Sequence, residues 1–435
     1  MFHKNKKMMK VAFFVHNSNL PNIDYSNIIS ANPGIGGSEY EFLLVPYLLQ
    51  ERDNNIEPHV LVNFSGIFPH KNVIHLKELE DACQYCVDNG ISEIVIDIKH
   101  YVDDTVAKFN GKLKAIIWAH NNVPYKLLNK VLDRPYIGKI VNCGREELEL
   151  YRDHKATLKS TYVYNIFPFK EKKYYEGLIK LDGNHNVVYM GSLVPVKGFH
   201  VLARNWKKVL AKVPDAQLYI IGTGKLYDRN AILGKFGFAQ KDYEDYFMKY
   251  LVDSDGNLLP SVHFLGLLGE EKYKILGSCK VAVPNPTGLS ECLPITTIEM
   301  QLMGCNITTI LHPAYLDTVF NTDYLYKKEA QLSQYIVKRL LDARENYDDL
   351  FNYVTSKFGI EGNIQRWEDI LNNIDVPKIE SISQYHFQFK SVKDLLFHIK
   401  NTHDFLGKLP SIEQYYILKQ NLKIKYRKMF GIKFN

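Results

Sequence analysis

The stretch "GLSECLPITTIEMQLMG", residues 288–304, sets two carboxylates, Glu291 and Glu299, on either side of Pro294 at the mouth of an apolar, helix-like run. Acids at a helix start are ordinary capping chemistry. Other residue sets along the chain have chemistry of their own. "IIWAHNNVP" puts His120 just past a buried strand, where a lone histidine is either a structural group or a catalytic one. "ANPGIGGSEYEF" puts Gly34, Gly36 and Gly37 before an amphipathic segment, with Ser38 as the expected N-cap. Such a loop is either a plain turn or a place where backbone N–H groups meet an anion. "VVYMGSLVPVKGF" sets Gly191 and Ser192 at a strand exit and Lys197-Gly198 at a helix start, where a lysine can meet a phosphate as a point charge. "YIIGTGKLYD" adds Gly222 and Gly224, with Lys225 close by. Small residues at strand exits suit close approach of backbone to a ligand.

The elements that must hold these residues are short apolar runs alternating with longer amphipathic segments. Strands are expected at 11–16, 59–64, 93–98, 115–119 and 140–142, and again at 187–190, 217–221, 262–265, 280–283 and 307–310. Helices are expected at 38–50, 76–89, 199–213, 271–277 and 295–303. That alternation predicts parallel sheets covered by helices on both faces, an α/β fold. Because it restarts after residue 183, two Rossmann-like domains facing an interdomain cleft are expected, with ligands at the carboxyl ends of the strands. The domains expected are 1–170 and 183–373, the last helix of the second returning to the first, followed by a helical basic tail over 374–435. Residues 235–260 read as an insertion, since they delay the next strand.

Composition narrows the class. With 435 residues the chain is long enough for two domains. Apolar residues at 46% and charged residues at 23% are those of a globular enzyme. A net charge of +6 permits an anionic ligand without demanding nucleic acid. No apolar run reaches the ~20 residues of a membrane span, and the apolar part of the amino terminus is too short for a signal peptide. A cytoplasmic protein is expected. The six cysteines make no disulfide framework, and the Cys83/Cys86 pair reads as two ordinary thiols on a helix.

The ordered set of GGSE, WAHN, the KG loop, the GTG turn and Glu291-x7-Glu299 resembles the retaining glycosyltransferases of the GT-B fold, in particular family 4. The resemblance covers most of residues 10–370. It implies a transferase of hexosyl type that moves a sugar from a nucleotide-sugar donor to a glycan or lipid-linked acceptor. The anomeric configuration would be retained, as in surface polysaccharide or glycoconjugate synthesis. By that resemblance Glu299 would accept from the ribose hydroxyls, and Glu291 would contact hydroxyls of the donor sugar. The backbone of Leu289, Ser290, Glu291, Cys292 and Leu293 would lie along the sugar and diphosphate. Lys197 would neutralise the diphosphate beside Gly191, Ser192, Gly222 and Gly224. His120 would approach the sugar from the first domain, and Gly36 and Gly37 would let that domain close near the phosphates. Catalytic roles thus fall to Glu291, His120 and Lys197.

Breaking a glycosyl–phosphate bond builds charge on the leaving diphosphate, which a metal, cations or helix N-termini must stabilise. Asp253-Ser254-Asp255 has the look of a metal-binding DxD, but the following Gly256 makes it a turn. A site without metal or resident cofactor is expected. One departure stands out: the family's usual Gly-Arg is Gly191-Ser192 here, and Arg204 and Lys225 are the candidate replacement cations. The alternative reading is therefore a degenerate glycosyltransferase-like protein that binds a nucleotide sugar or a partner without catalysis. After Glu413 the chain has no acids and six bases: Lys419, Lys423, Lys425, Arg427, Lys428 and Lys433. Leu418, Leu422, Tyr426 and Met429 recur there at helical spacing. Residues 411–435 thus read as a helix on its own domain or as a basic amphipathic helix on an anionic membrane, a peripheral location at the cytoplasmic face.

Overall fold

The computed structural model describes residues 8–20, 22–30, 32–52, 55–180, 185–225, 231–372, 390–402, 404–412 and 415. The chain divides into two units, one from residues up to 168 with those from 360 on, the other from Phe169–Gly359. Each has a parallel sheet covered by helices.

In the first unit the strands are β1 (Met9–Val15), β2 (Ile56–Val62), β3 (Val73–His75), β4 (Glu93–Asp97), β5 (Lys114–Ala119), β6 (Ile137–Asn142) and β7 (Ser160–Tyr162). Their order is β3-β2-β1-β4-β5-β6-β7, all parallel. The helices are α1 (Gly37–Glu51), α2 (Leu79–Asp88), α3 (Asp103–Ala107), α4 (Tyr125–Asp133) and α5 (Arg145–Glu149). Strand β1, "MKVAFFV", shows why the sheet is central. Val11, Phe13 and Val15 point to a core shared with α1 and Trp118, while Ala12 and Phe14 point to the opposite core under α2.

The second unit starts with α6 (Lys172–Glu176) and builds its sheet from β8 (Asn186–Met190), β9 (Gln217–Ile221), β10 (Val262–Gly266), β11 (Val281–Ala282) and β12 (Asn306–Ile307). The order is β10-β9-β8-β11-β12. A two-stranded sheet, β13 (Thr309–Ile310) with β14 (Leu325–Tyr326), stands apart. The helices are α7 (Phe199–Leu210), α8 (Lys241–Met248), α9 (Lys272–Gly277), α10 (Ile295–Leu302), α11 (Pro313–Thr318), α12 (Leu332–Leu341) and α13 (Tyr347–Phe358). The chain then re-enters the first unit as α14 (Ile360–Leu371), and α15 (Lys390–Thr402) also belongs there.

Three expectations need correcting. Residues 235–260 are not an insertion: they carry α8, the crossover helix between β9 and β10, whose Tyr243, Phe247 and Met248 are core residues. The single strand expected at 307–310 is two strands in different sheets, broken at Thr308, whose hydroxyl donates to the Tyr324 carbonyl. Ser38 is not the N-cap of α1: the helix starts one residue earlier and Gly36 holds that position, without a side-chain cap. Cys83 and Cys86 lie buried on α2, and burial pushes the Cys83 thiol up to about 12. All six cysteines are free. Of residues 411–435, only Ser411, Ile412 and Tyr415 are among the described residues, so the six bases after Glu413 lie outside them. No helix of the described residues is long and apolar enough to cross a membrane.

Candidate functional site

In each sheet the strand order reverses once, between β8 and β11 in the second unit and between β1 and β4 in the first. Connections there leave in opposite directions, which opens a crevice beyond the carboxyl ends of the strands.

At the β8/β11 switch point the second unit assembles Lys197 and Glu291. Lys197 Nζ lies 2.6 Å from Glu291 Oε1, with both side chains largely buried. The loop after β8 reaches this position through a short turn closed by Gly198, which has φ +69 and would place a Cβ 2.7 Å from Thr287 and 2.9 Å from Asn285 Oδ1. The Tyr189 hydroxyl ties the loop down by donating to the carbonyls of Ser192 and Lys197. Gly191 and Ser192 follow β8 directly, and Ser192 Oγ donates to the Thr223 carbonyl. Gly222, just after β9 at φ +141, crosses so near that a Cβ would lie 1.9 Å from the Gly191 carbonyl oxygen. Gly224 donates its N–H to Phe238 at the base of the α8 segment.

Asn285, which the sequence did not single out, organises the loop after β11. Its Nδ2 donates to the Val196 and Leu289 carbonyls and to Glu291 Oε1, the last at 2.9 Å. Its Oδ1 accepts from Thr287 N and Oγ1. One side chain thus locks the Lys197 loop to the Glu291 loop. The turn-rich "PNPTG" was the signal for it. Ser290 adopts φ 55, a left-handed backbone that a non-glycine residue holds at a cost of ~1–3 kcal/mol. Leu289 is exposed at its side, while Cys292 and Leu293 turn inward.

Glu299 lies on α10, and its Oε1 is 2.5 Å from Lys272 Nζ and accepts from the Tyr273 hydroxyl at 3.1 Å. Burial, with the Glu299 charge beside it, pushes the Tyr273 phenol far up, so it stays a donor. Lys272 and Tyr273 come from α9 and were not anticipated. Arg204, a candidate replacement cation, is taken by Glu329 at 2.6 Å. Lys225 is exposed. Asp253 uses Oδ1 to accept from the N–H groups of Asp255 and Asn257, the geometry of a capped turn.

At the β1/β4 switch point the first unit gathers His16, Asp97, Lys99 and His100 around a cavity also lined by Ser38 and Glu39. His120 follows β5, with Nδ1 3.2 Å from Asp97 Oδ2. Its ring packs on Trp118 and Phe42 at centroid distances of 4.6 and 5.8 Å. Gly36 and Gly37 open α1, but the end they expose is met by Glu39: a Cβ on Gly36 would fall 2.2 Å from Glu39 Oε2. Burial raises the Glu39 carboxyl, yet Lys99 and hydrogen bonds, including one from the Asn17 amide, outweigh it and hold it below its ordinary range.

Residues 184–342 match the family model for glycosyl transferases group 1. An uncharacterized glycosyltransferase of Haemophilus influenzae is 25% identical over 292 residues, 64% of this chain and 75% of the relative. The crystal structure of a glycosyltransferase from Rickettsia africae superposes with a TM-score of 0.60 at 12% identity, covering 85% of this chain and 99% of that one. Anabaena HepE, solved with UDP and glucose, superposes at 0.56 and 14% identity, over 84% of this chain and all of its own. The fold is GT-B. Within it the family-matched segment is the unit that holds Lys197, Glu291 and Glu299, and the matched family and the Haemophilus relative support a glycosyltransferase.

Proposed function

We propose that this GT-B protein transfers a hexosyl group from a nucleotide sugar to a hydroxyl of a glycan or lipid-linked acceptor. The anomeric configuration is retained and no metal is required. The observation that carries the reading is the Lys197–Glu291 pair, cross-braced by Asn285 at the β8/β11 switch point of the family-matched unit. In this reading the diphosphate draws Lys197 from Glu291 and receives backbone N–H groups from the 289–293 loop. Glu291, released, accepts from hydroxyls of the donor sugar. Glu299 exchanges Lys272 and Tyr273 for the ribose hydroxyls. The C1–O bond to the diphosphate breaks, the acceptor oxygen bonds C1 from the same face, and its proton passes to the leaving diphosphate. Lys197 stabilises the charge that builds there. For His120, within its own unit, the proposed role is a hydrogen bond to a sugar hydroxyl.

Roles in surface polysaccharide or glycoconjugate synthesis, and a cytoplasmic location with the 411–435 tail on an anionic membrane, belong to the same proposal. A thermal-shift screen against uridine, guanosine and adenosine diphosphate sugars, with magnesium or chelator, would identify the donor. A product assay with Lys197→Ala, Glu291→Ala and Glu299→Ala would follow. Undiminished transfer in all three variants overturns the reading, and donor binding without any product turns it into the non-catalytic alternative.

A further inference from the structure

Asp97 ends β4 at the switch point, and its carboxylate is oriented from within its own unit. Oδ1 accepts the Lys99 N–H at 2.8 Å. Oδ2 is thereby aimed at His120 Nδ1, 3.2 Å away, and neither of these two atoms has a hydrogen-bond partner elsewhere among the described residues. The contact has the separation of an ion pair without the alignment of a hydrogen bond, and contacts of this kind tighten as substrate closes on them. Both side chains are more than nine-tenths buried, at 5% and 7% exposure. His120 Nε2 is buried too, and has no partner among the described residues. A buried polar atom left unpaired costs ~1–3 kcal/mol, and His120 leaves both nitrogens so among the described residues, whereas the buried His70 pairs one of its two with the Leu43 carbonyl.

We propose that Asp97 is a positioning residue for His120, holding the proton on Nδ1 so that Nε2 accepts from a sugar hydroxyl, directly or through one water. This rests on the function proposed above. An ionised carboxylate only accepts, so in the neutral imidazole the nitrogen facing it carries the hydrogen, and Nε2 keeps its lone pair. Trp118 and Phe42 fix the plane of the ring. Burial raises the Asp97 carboxyl, yet His120 and Lys99, whose Nζ lies 3.9 Å from Asp97 Oδ2 and 3.7 Å from Glu39 Oε1, outweigh it and hold it below its ordinary range. The other titratable groups around the pair are His16 and His100, whose rings lie 5.0 Å apart in the same cavity.

The test is Asp97→Asn in the full chain, read in two ways. Nitrogen NMR of labelled histidines should show His120 as the Nδ1–H tautomer in the wild type. In the variant it should move toward Nε2–H, because an amide can donate to Nδ1. In the product assay kcat should fall roughly 100-fold and its pH profile should change. The donor KM should stay within about twofold, and Asp97→Glu should recover part of the rate. A wild-type His120 in the Nε2–H form, or a variant whose kcat stays within about twofold of wild type, overturns the proposal. A wild type that binds and transfers no nucleotide sugar overturns the parent reading instead, and the tautomer still decides whether Asp97 sets His120.

Discussion

The two switch points are built alike and charged differently. In the second unit both glutamates of the spaced pair are already engaged: Glu291 by the Lys197 ammonium and the Asn285 amide, Glu299 by the Lys272 ammonium and the Tyr273 hydroxyl. In the first unit the buried imidazole of His120 touches one carboxylate and leaves a nitrogen unspent among the described residues. Under the proposed function, a ligand of the second unit must exchange partners, giving an anion to Lys197 and hydroxyls to the glutamates, while a ligand of the first unit only adds a contact. On that proposal the labour is divided, with charge-bearing groups bound where ion pairs can be traded and a neutral hydroxyl bound where a single acceptor waits.

Substitutions test that division. Lys197→Ala should have the largest effect, lowering kcat/KM by about 100- to 1,000-fold, because it removes the leaving-group cation and strands Glu291. Steady-state kinetics with the best donor checks it. His120→Ala should cut kcat by roughly 100-fold while weakening donor binding only about threefold, the loss of one neutral hydrogen bond. A donor constant weakened about tenfold or more would erase the distinction between the units. Glu299→Gln should weaken donor binding about tenfold with kcat preserved, seen by calorimetry, since an amide accepts less well than a carboxylate.

The smallest effect is on stability. Burial pushes His70 in the first unit and His312 in the second down to about 4. Unfolded, each titrates at about 6.5. Between those values the unfolded chain binds the extra proton, so stability is full above about 6.5 and is lost as pH falls toward about 4. His70→Gln and His312→Asn should each flatten that acid slope in thermal melts. Two separable slopes would mean that the units unfold independently.

Much of this was legible in the sequence because parallel strands buried on both faces are continuous apolar runs. "QLYII" is β9 to the residue, and the runs after residue 183 locate β8 and β10 to within a residue. Lys197 and Glu291 were visible because each follows a strand and precedes a helix. Their partners were not. Asn285 acts through side-chain hydrogen bonds that depend on separate loops meeting, and Lys272 of α9 meets Glu299 of α10 across more than 20 residues of chain. The local sequence marks a turn at Asn285 but not the partners that the turn meets. The 235–260 segment misled because it delays β10 and so resembled an insertion, when the added length holds the crossover helix α8. Ser38 misled because a good capping residue was outbid by Glu39, which turns its own carboxylate to the helix start.

Helix α14 has a consequence for how the molecule comes into being. Ile364, Trp367, Ile370 and Leu371 complete the core beneath β1, and Trp367 lies edge-on to Trp118 at 4.6 Å, the same ring that backs His120. Arg52 clasps Glu361 and Glu368 from the end of α1, and Lys139 reaches the Ile370 carbonyl. The ribosome delivers these residues only after the whole of 169–359 has emerged. The half of the protein born first must therefore wait, with an apolar seam open, for the half born second to be finished before it can close.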